Sequence, residues 1–173
     1  MNRRLVTAIL VALVLSGVVV GPSSLAAVRS TSFVITGVRT IDGYKVGTTY
    51  AQAQRDFGGS FSTTQSTTNC TARWKNGVTI VWHRKLPSSK WSKACTRFNF
   101  ATVGRARAPR GTWRTDKGLR VGATQVQLKK LYPAARSKRL NRYTVWTLAS
   151  VSKISLQAWM KRGRVAHFRL GGS

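Results

Sequence analysis

Residues 39–58, RTIDGYKVGTTYAQAQRDFG, are answered 75 positions later by residues 114–133, RTDKGLRVGATQVQLKKLYP, with no gap between the two. Seven positions are identical: Arg39/Arg114, Thr40/Thr115, Gly43/Gly118, Val46/Val121, Gly47/Gly122, Thr49/Thr124 and Gln52/Gln127. Lys45/Arg120 and Phe57/Tyr132 are conservative exchanges. Self-similarity at a fixed offset marks one supersecondary unit made twice, so the fold has to accommodate two copies.

The local chemistry of each copy is that of a turn followed by a helix. Gly43 and Gly47 bracket a turn, Thr48-Thr49 supply a cap, and YAQAQRDF runs as a helix until Gly58-Gly59. In the second copy Gly122 leads in, Thr124 caps, and QVQLKKLY is helical until Pro133. Val46 and Val121 stand just ahead of the caps, where an apolar side chain clamps the first turn. Helices of about two to three turns are not stable alone and need a surface to pack on.

That surface follows in the sequence. STSFVITG (30–37) reads as an opening strand, and CTARWKNGVTIVWH (70–83) reads as a hairpin turning tightly at Asn76-Gly77. A loop, RKLPSSKWSK, then leads to the strand ACTRFNFATVG (94–104). After the second helix come YTVWTLAS (143–150), SKISLQAWM (152–160), a turn at Lys161-Arg162-Gly163, and RVAHFRL (164–170). The expected fold is α+β: two tandem helix-plus-antiparallel-sheet units with one disulfide. Residues 1–27 form a signal peptide, 28–103 the first unit, 104–112 a basic Pro/Gly-marked linker, and 113–173 the second unit.

Short openings of the form x-V-G-x-T-x-x-Q, seen here as VGTTYAQ and VGATQVQ and followed by a meander, resemble the tandem units of β-lactamase inhibitor protein. They are also similar to the SmpA/OmlA (BamE-like) envelope module. The resemblance implies a tandem architecture from about Val38 onward. The inhibitor family has a disulfide in each repeat, whereas the second unit here has no cysteine. BamE-like proteins are lipid-anchored, and no cysteine lies near the leader's end. Partner contacts of those families do not carry over, because only the turn-helix motif matches.

The leader reading rests on Arg3-Arg4, the apolar run Leu5–Val20, the Gly21-Pro22 break, and small residues at Ser24-Leu25-Ala26. An uncleaved anchor is the competing reading, but the run is shorter than the roughly 20 residues a spanning helix needs. Cleavage implies a secreted or extracellular protein, with cell-wall association as a further option and no membrane span once the leader is gone. Cys70 and Cys95 then lie in an oxidising compartment and read most simply as one disulfide, with two free buried thiols as the alternative. Closing that loop should stabilise by ~3.5 kcal/mol on the chain-entropy estimate.

Charge bounds the partners. Two of the thirty basic residues belong to the leader, and the remaining twenty-eight face Asp42, Asp56 and Asp116 with no Glu. Such a chain adheres to anionic surfaces of any kind. Its hydrophobic content of 42% and its six Trp exclude disorder as the explanation. Catalysis finds no constellation. Asp42 and Asp116 sit in the repeated glycine turn, where Asp is a turn former. His83 and His167 lack acidic neighbours in sequence, and neither a nucleophile elbow nor a phosphate-binding lysine loop occurs. No catalytic residue, metal ligand or cofactor is assigned.

Basic residues interleaved with aromatics remain. Aligning the hairpins at Gly77 and Gly163 puts Ala72, Ile80, Trp82, Ala158, Ala166 and Phe168 on a buried face. The opposite face then carries Arg73, Val81 and His83 from one unit and Trp159, Val165, His167 and Arg169 from the other; Trp74 depends on the register. The candidate binding residues are Arg73, His83, Trp159, His167 and Arg169, with Trp159 as anchor, the arginines orienting the partner, and the histidines adding pH sensitivity. The expected function is a secreted, non-enzymatic binding module for a protein partner of unknown identity at or outside the cell envelope. The alternative is a polyanion binder for wall teichoic acid, acidic lipid, glycan or nucleic acid, without recognition of a specific nucleic acid sequence.

Overall fold

The computed structural model describes residues 32–60, 62–84, 95–104 and 112–172. The leader, the loop 85–94 and most of the linker lie outside them. In chain order the elements are β1 (Ser32–Thr36), β2 (Thr40–Ile41), β3 (Tyr44–Lys45), α1 (Tyr50–Phe57), β4 (Ser62–Gln65), β5 (Asn69–Arg73), β6 (Val78–Arg84) and β7 (Cys95–Val103). They continue with β8 (Thr112–Thr115), α2 (Gln125–Leu131), β9 (Arg136–Leu140), β10 (Tyr143–Val151), β11 (Ile154–Lys161) and β12 (Arg164–Gly172). Among the described residues strand dominates at 56% against 13% helix, so the α+β expectation holds only in part.

Two sheets form. The larger has eight strands in the order β4-β5-β6-β7-β12-β11-β10-β9. Outward from its centre each half repeats the same antiparallel meander, so the last strand of one unit meets the last strand of the other. That seam pairs Phe100 with Gly171, Ala101 with Leu170, Thr102 with Arg169 and Val103 with Phe168. Gly171 permits it, because a Cβ there would come within 2.7 Å of the Phe100 Cβ. The smaller sheet, β3-β2-β1-β8, contains a parallel pair, with β1 beside β8 from Ser32↔Thr112 to Ile35↔Thr115. This corrects the expectation of purely antiparallel units. β1 already pairs with β2 on one edge, and its other edge is satisfied by the strand that opens the second copy of the motif.

Both caps form as the repeat predicts. The Thr49 side chain accepts from the Gln52 amide, and the Thr124 side chain accepts from the Gln127 amide. Only the second is reciprocal, since the Gln127 side chain also accepts from the Thr124 amide. Gln52 is engaged by Asp56 and Arg55 instead. Helix α1 lays Tyr50, Ala53 and Phe57 onto the sheet, where Tyr50 meets Trp82 edge-on at 5.7 Å and Phe57 meets Trp74 at 5.5 Å. Helix α2 inserts Leu128, followed by Tyr132. Burying these apolar faces holds two helices that propensity alone would not.

Several register expectations are corrected. Gly77 turns β5 into β6, whereas Gly163 turns β11 into β12, so aligning the two glycines matched hairpins one strand out of step. Asn76 keeps a negative φ, and Gly77 alone is left-handed; the loop carries a Trp74 amide to Val78 carbonyl bond rather than a two-residue primed turn. Ala72, Ile80, Trp82, Ala158 and Phe168 are buried as expected, but Ala166 is half-buried. It is the extra residue of a bulge, because Trp159 pairs with His167 while Met160 pairs with Val165. The bulge sends Val165 to the core side, against the expectation of an open-face position. Val81 is also buried, and so is Trp74, whose indole N–H donates to the Gly58 carbonyl at 2.9 Å.

Cys70 and Cys95 form a disulfide, with Cα atoms 5.6 Å apart and both side chains buried. The bridge links β5 and β7, the strands that flank β6.

Candidate functional site

The larger sheet has one face under the helices and the smaller sheet. Among the described residues the other face carries no second layer, and cross-strand partners define its rows. One row runs Arg73, Thr79, Thr102, Arg169, Gln157, Thr147 across six strands and through the seam. Beside it, Val145, Trp159 and His167 are successive partners on β10, β11 and β12. Direct partners share a face, so the two units do present one continuous surface.

Three of the five candidate residues come together there. The Trp159 indole stacks on the His167 imidazole at 5.4 Å, and Tyr143 sets its ring edge against both, at 5.5 Å from Trp159 and 5.6 Å from His167. The Arg169 guanidinium lies 4.0 Å from the Phe100 ring centre and 5.7 Å from that of Trp159. Gln157 fixes the indole by accepting its N–H at 3.1 Å. Trp159, His167 and Arg169 are each half-buried, and Val145 beside them is buried. Burial, and secondarily the positive charge of Arg169, holds the His167 imidazole below its ordinary value of 6.5. Burial likewise lowers Arg169 from its usual value.

The other two candidates lie on the same face but apart from the cluster. Arg73 is three ladders from Arg169, about 14 Å at ordinary strand spacing, and directs its guanidinium to the Thr64 hydroxyl at 3.4 Å. His83 is exposed near the far end of β6, opposite Asn69 and Arg97. Between the two halves a shallow depression of about 290 Å³ crosses the seam, lined by Gly77, Thr79, Thr102, Gly104, Ala166 and His167. Tyr143, Phe100 and Gln157 are members of the patch that the sequence reading omitted. Gln157 stands two residues before Trp159 on one strand, so alternation could have found it. Phe100 and Tyr143 need the pairing of β7 with β12 and the register of β10, which are non-local.

Asp116 accepts from the amides of Gly37 and Lys117, and Asp56 accepts from the Gln52 side chain. Among the described residues no three His, Cys, Asp or Glu side chains converge on a point, and no helix is long and apolar enough to cross a membrane.

Fold and patch together define a mostly-β protein of two like units, with an aromatic and cationic surface where they join. No family model matches the chain, and no curated protein matches it. Among solved structures it is similar to a DUF4309 family protein, YjgB of Bacillus subtilis, at a TM-score of 0.47 and 11% identity, covering 72% of this chain and 78% of that one. No family is assigned from a similarity of this size. The resemblance to β-lactamase inhibitor protein and the SmpA/OmlA module gains nothing from these comparisons and still rests on residues 46–52 and 121–127.

Proposed function

We propose that this is a secreted, non-enzymatic binding module that engages a protein partner at or outside the cell envelope through the face of its eight-stranded sheet that lies opposite the helices. The observation that carries the reading is the cluster of Tyr143, Trp159, His167 and Arg169 beside the seam depression. Half-buried tryptophan with arginine over its ring is the composition of energetic centres in protein interfaces, where ordered aromatics contribute area at little entropic cost. The leader-like apolar run and the bridged cysteines agree with export. A second reading, polyanion binding, is favoured by strand β9, which exposes all five residues of RSKRL and so displays Arg136, Lys138 and Arg139 along one edge of the sheet.

The two readings separate in one capture experiment. Immobilised wild-type protein, Trp159→Ala and Arg136→Gln are presented with wall and secreted fractions of the producing cell at low and high salt. The proposed function expects a protein retained at high salt by wild type and Arg136→Gln but not by Trp159→Ala. Capture that vanishes at high salt for all three gives the protein to the polyanion class, because released counterions then supply the affinity.

A further inference from the structure

The two copies of the repeated motif are alike in backbone but differ in what they leave open. In the second copy a cleft of about 640 Å³ lies between the loop that precedes α2, the outer side of α2 and the start of β12. Half-buried Val121 and Leu131 give it an apolar wall, with Leu119 fully buried behind them, and Arg120, Lys130 and Arg164 stand around it. None of its lining residues is acidic. One guanidinium nitrogen of Arg164 is tied to the Gly122 carbonyl at 3.2 Å, which holds the side chain over the cleft and leaves its other N–H groups for a ligand.

At the matching positions the first copy carries different side chains. Tyr44 replaces Leu119; its buried ring packs 5.5 Å from Phe57, and its hydroxyl donates to the Thr48 carbonyl at 3.0 Å. Asp56 replaces Leu131 and accepts from the Gln52 side chain, so an acid stands where the second copy has an apolar side chain. A structural unit made twice has no packing need for an open, acid-free version of the same place.

We infer that the second-copy cleft is a binding site for an amphiphilic phosphate: an alkyl chain against Val121 and Leu131, and a phosphate monoanion or dianion held by Arg120, Lys130 and Arg164. Its volume lies within the range of small-molecule sites. Guanidinium groups hold oxyanions through paired N–H bonds, and a lysine adds a point charge. The ligand arrives either as a free alkyl phosphate or as the headgroup region of an anionic phospholipid. This site is on a different surface from the sheet-face cluster and does not depend on it.

The test is a titration of the purified protein with decyl phosphate below its micellar concentration, with decanol and inorganic phosphate as the two halves. Decyl phosphate should bind at least about tenfold more tightly than either half. Lys130→Gln and Arg120→Gln, both at exposed positions, should each weaken it by about tenfold, the effect of one charge-assisted hydrogen bond. Leu131→Asp, which installs the carboxylate of the first copy, should abolish binding, with a melting curve to verify its fold. Arg55→Gln, the same charge removed from the first copy, should change nothing. Equal loss for Arg55→Gln and Lys130→Gln, equal binding of decanol, or no binding of decyl phosphate would each overturn the inference. Phosphatidylglycerol vesicles identify the source: loss of their binding in Lys130→Gln marks the lipid, and unchanged binding marks the free amphiphile.

Discussion

The Trp159 indole lies against the His167 imidazole with ring centres 5.4 Å apart and planes only 25° from parallel. This contact joins neighbouring strands of the second unit and faces away from the core, so it contributes little that the fold requires. Truncation of Trp159 therefore has a divided outcome. Trp159→Ala should cost about 1–2 kcal/mol of stability, the worth of its aromatic contacts plus part of its area, and not the roughly 3–5 kcal/mol of a core tryptophan. In binding the same variant should lose on the order of 2 kcal/mol, as interface anchors do. Melting and affinity measured on one preparation decide it. A loss of stability in the core range would remove Trp159 from the site.

The environment of His167 sets a pH dependence with a definite sign. Burial and the neighbouring Arg169 charge hold its folded value below 6.5, so between the folded and unfolded values the unfolded chain carries more protons. Stability from this group is complete above about 6.5 and is lost as pH falls through the window beneath it. The melting temperature should decline from pH 7.5 to 5.5, and His167→Gln should flatten that decline. Asp42, whose carboxyl is raised by burial, acts with the opposite sign and nearer the carboxylate range. An unchanged slope in His167→Gln would show that the imidazole is not held as the geometry requires.

The disulfide should be protected as well as stabilising. Cys70 and Cys95 are both buried, and the strands they join flank β6. Alkylation without reductant should label neither sulfur. Cys70→Ala/Cys95→Ala should lose about 3.5 kcal/mol if loop closure in the unfolded chain is the main contribution. Denaturant titration of the double variant measures this directly; a loss below about 1 kcal/mol would mean that residual structure already closes the loop.

What was legible in the sequence is what is decided locally. Thr49 and Thr124 start their helices because a cap needs only its own next few residues, and Cys70 and Cys95 had only each other. Strand β9 was missed because RSKRL is exposed throughout and shows no alternation of apolar and polar residues. The parallel pairing of β1 with β8 joins residues 80 positions apart, as in Ser32↔Thr112, and leaves no local mark. Within the site, Trp159, His167 and Arg169 were found by period-two alternation on β11 and β12. The same rule misplaced Val165, because a single inserted residue, Ala166, resets the alternation before His167. Phe100 belongs to the patch only through the seam, and no pattern within either unit specifies the seam.

That seam makes the last prediction. Gly171 holds φ at 154° opposite Phe100, and any Cβ placed there would meet the Phe100 Cβ at 2.7 Å, the Asn99 carbonyl oxygen at 2.9 Å and the Phe100 Cα at 2.9 Å. Two of these three contacts are backbone, which cannot rotate aside, so the strands themselves have to part. Gly171→Ala should therefore destabilise by about 1–3 kcal/mol, as overpacked sites do. Gly172→Ala at the adjacent position, whose nearest contact is 3.5 Å, should cost far less. The consequence for the site is specific. Arg169 is two residues from the strained position and rests on Phe100 across the seam, so separation of β7 from β12 removes its platform. Loss of affinity in Gly171→Ala but not in Gly172→Ala, both measured below their melting temperatures, would tie binding to the join between the units. Equal affinity in the two variants would place the binding determinants wholly within the second unit.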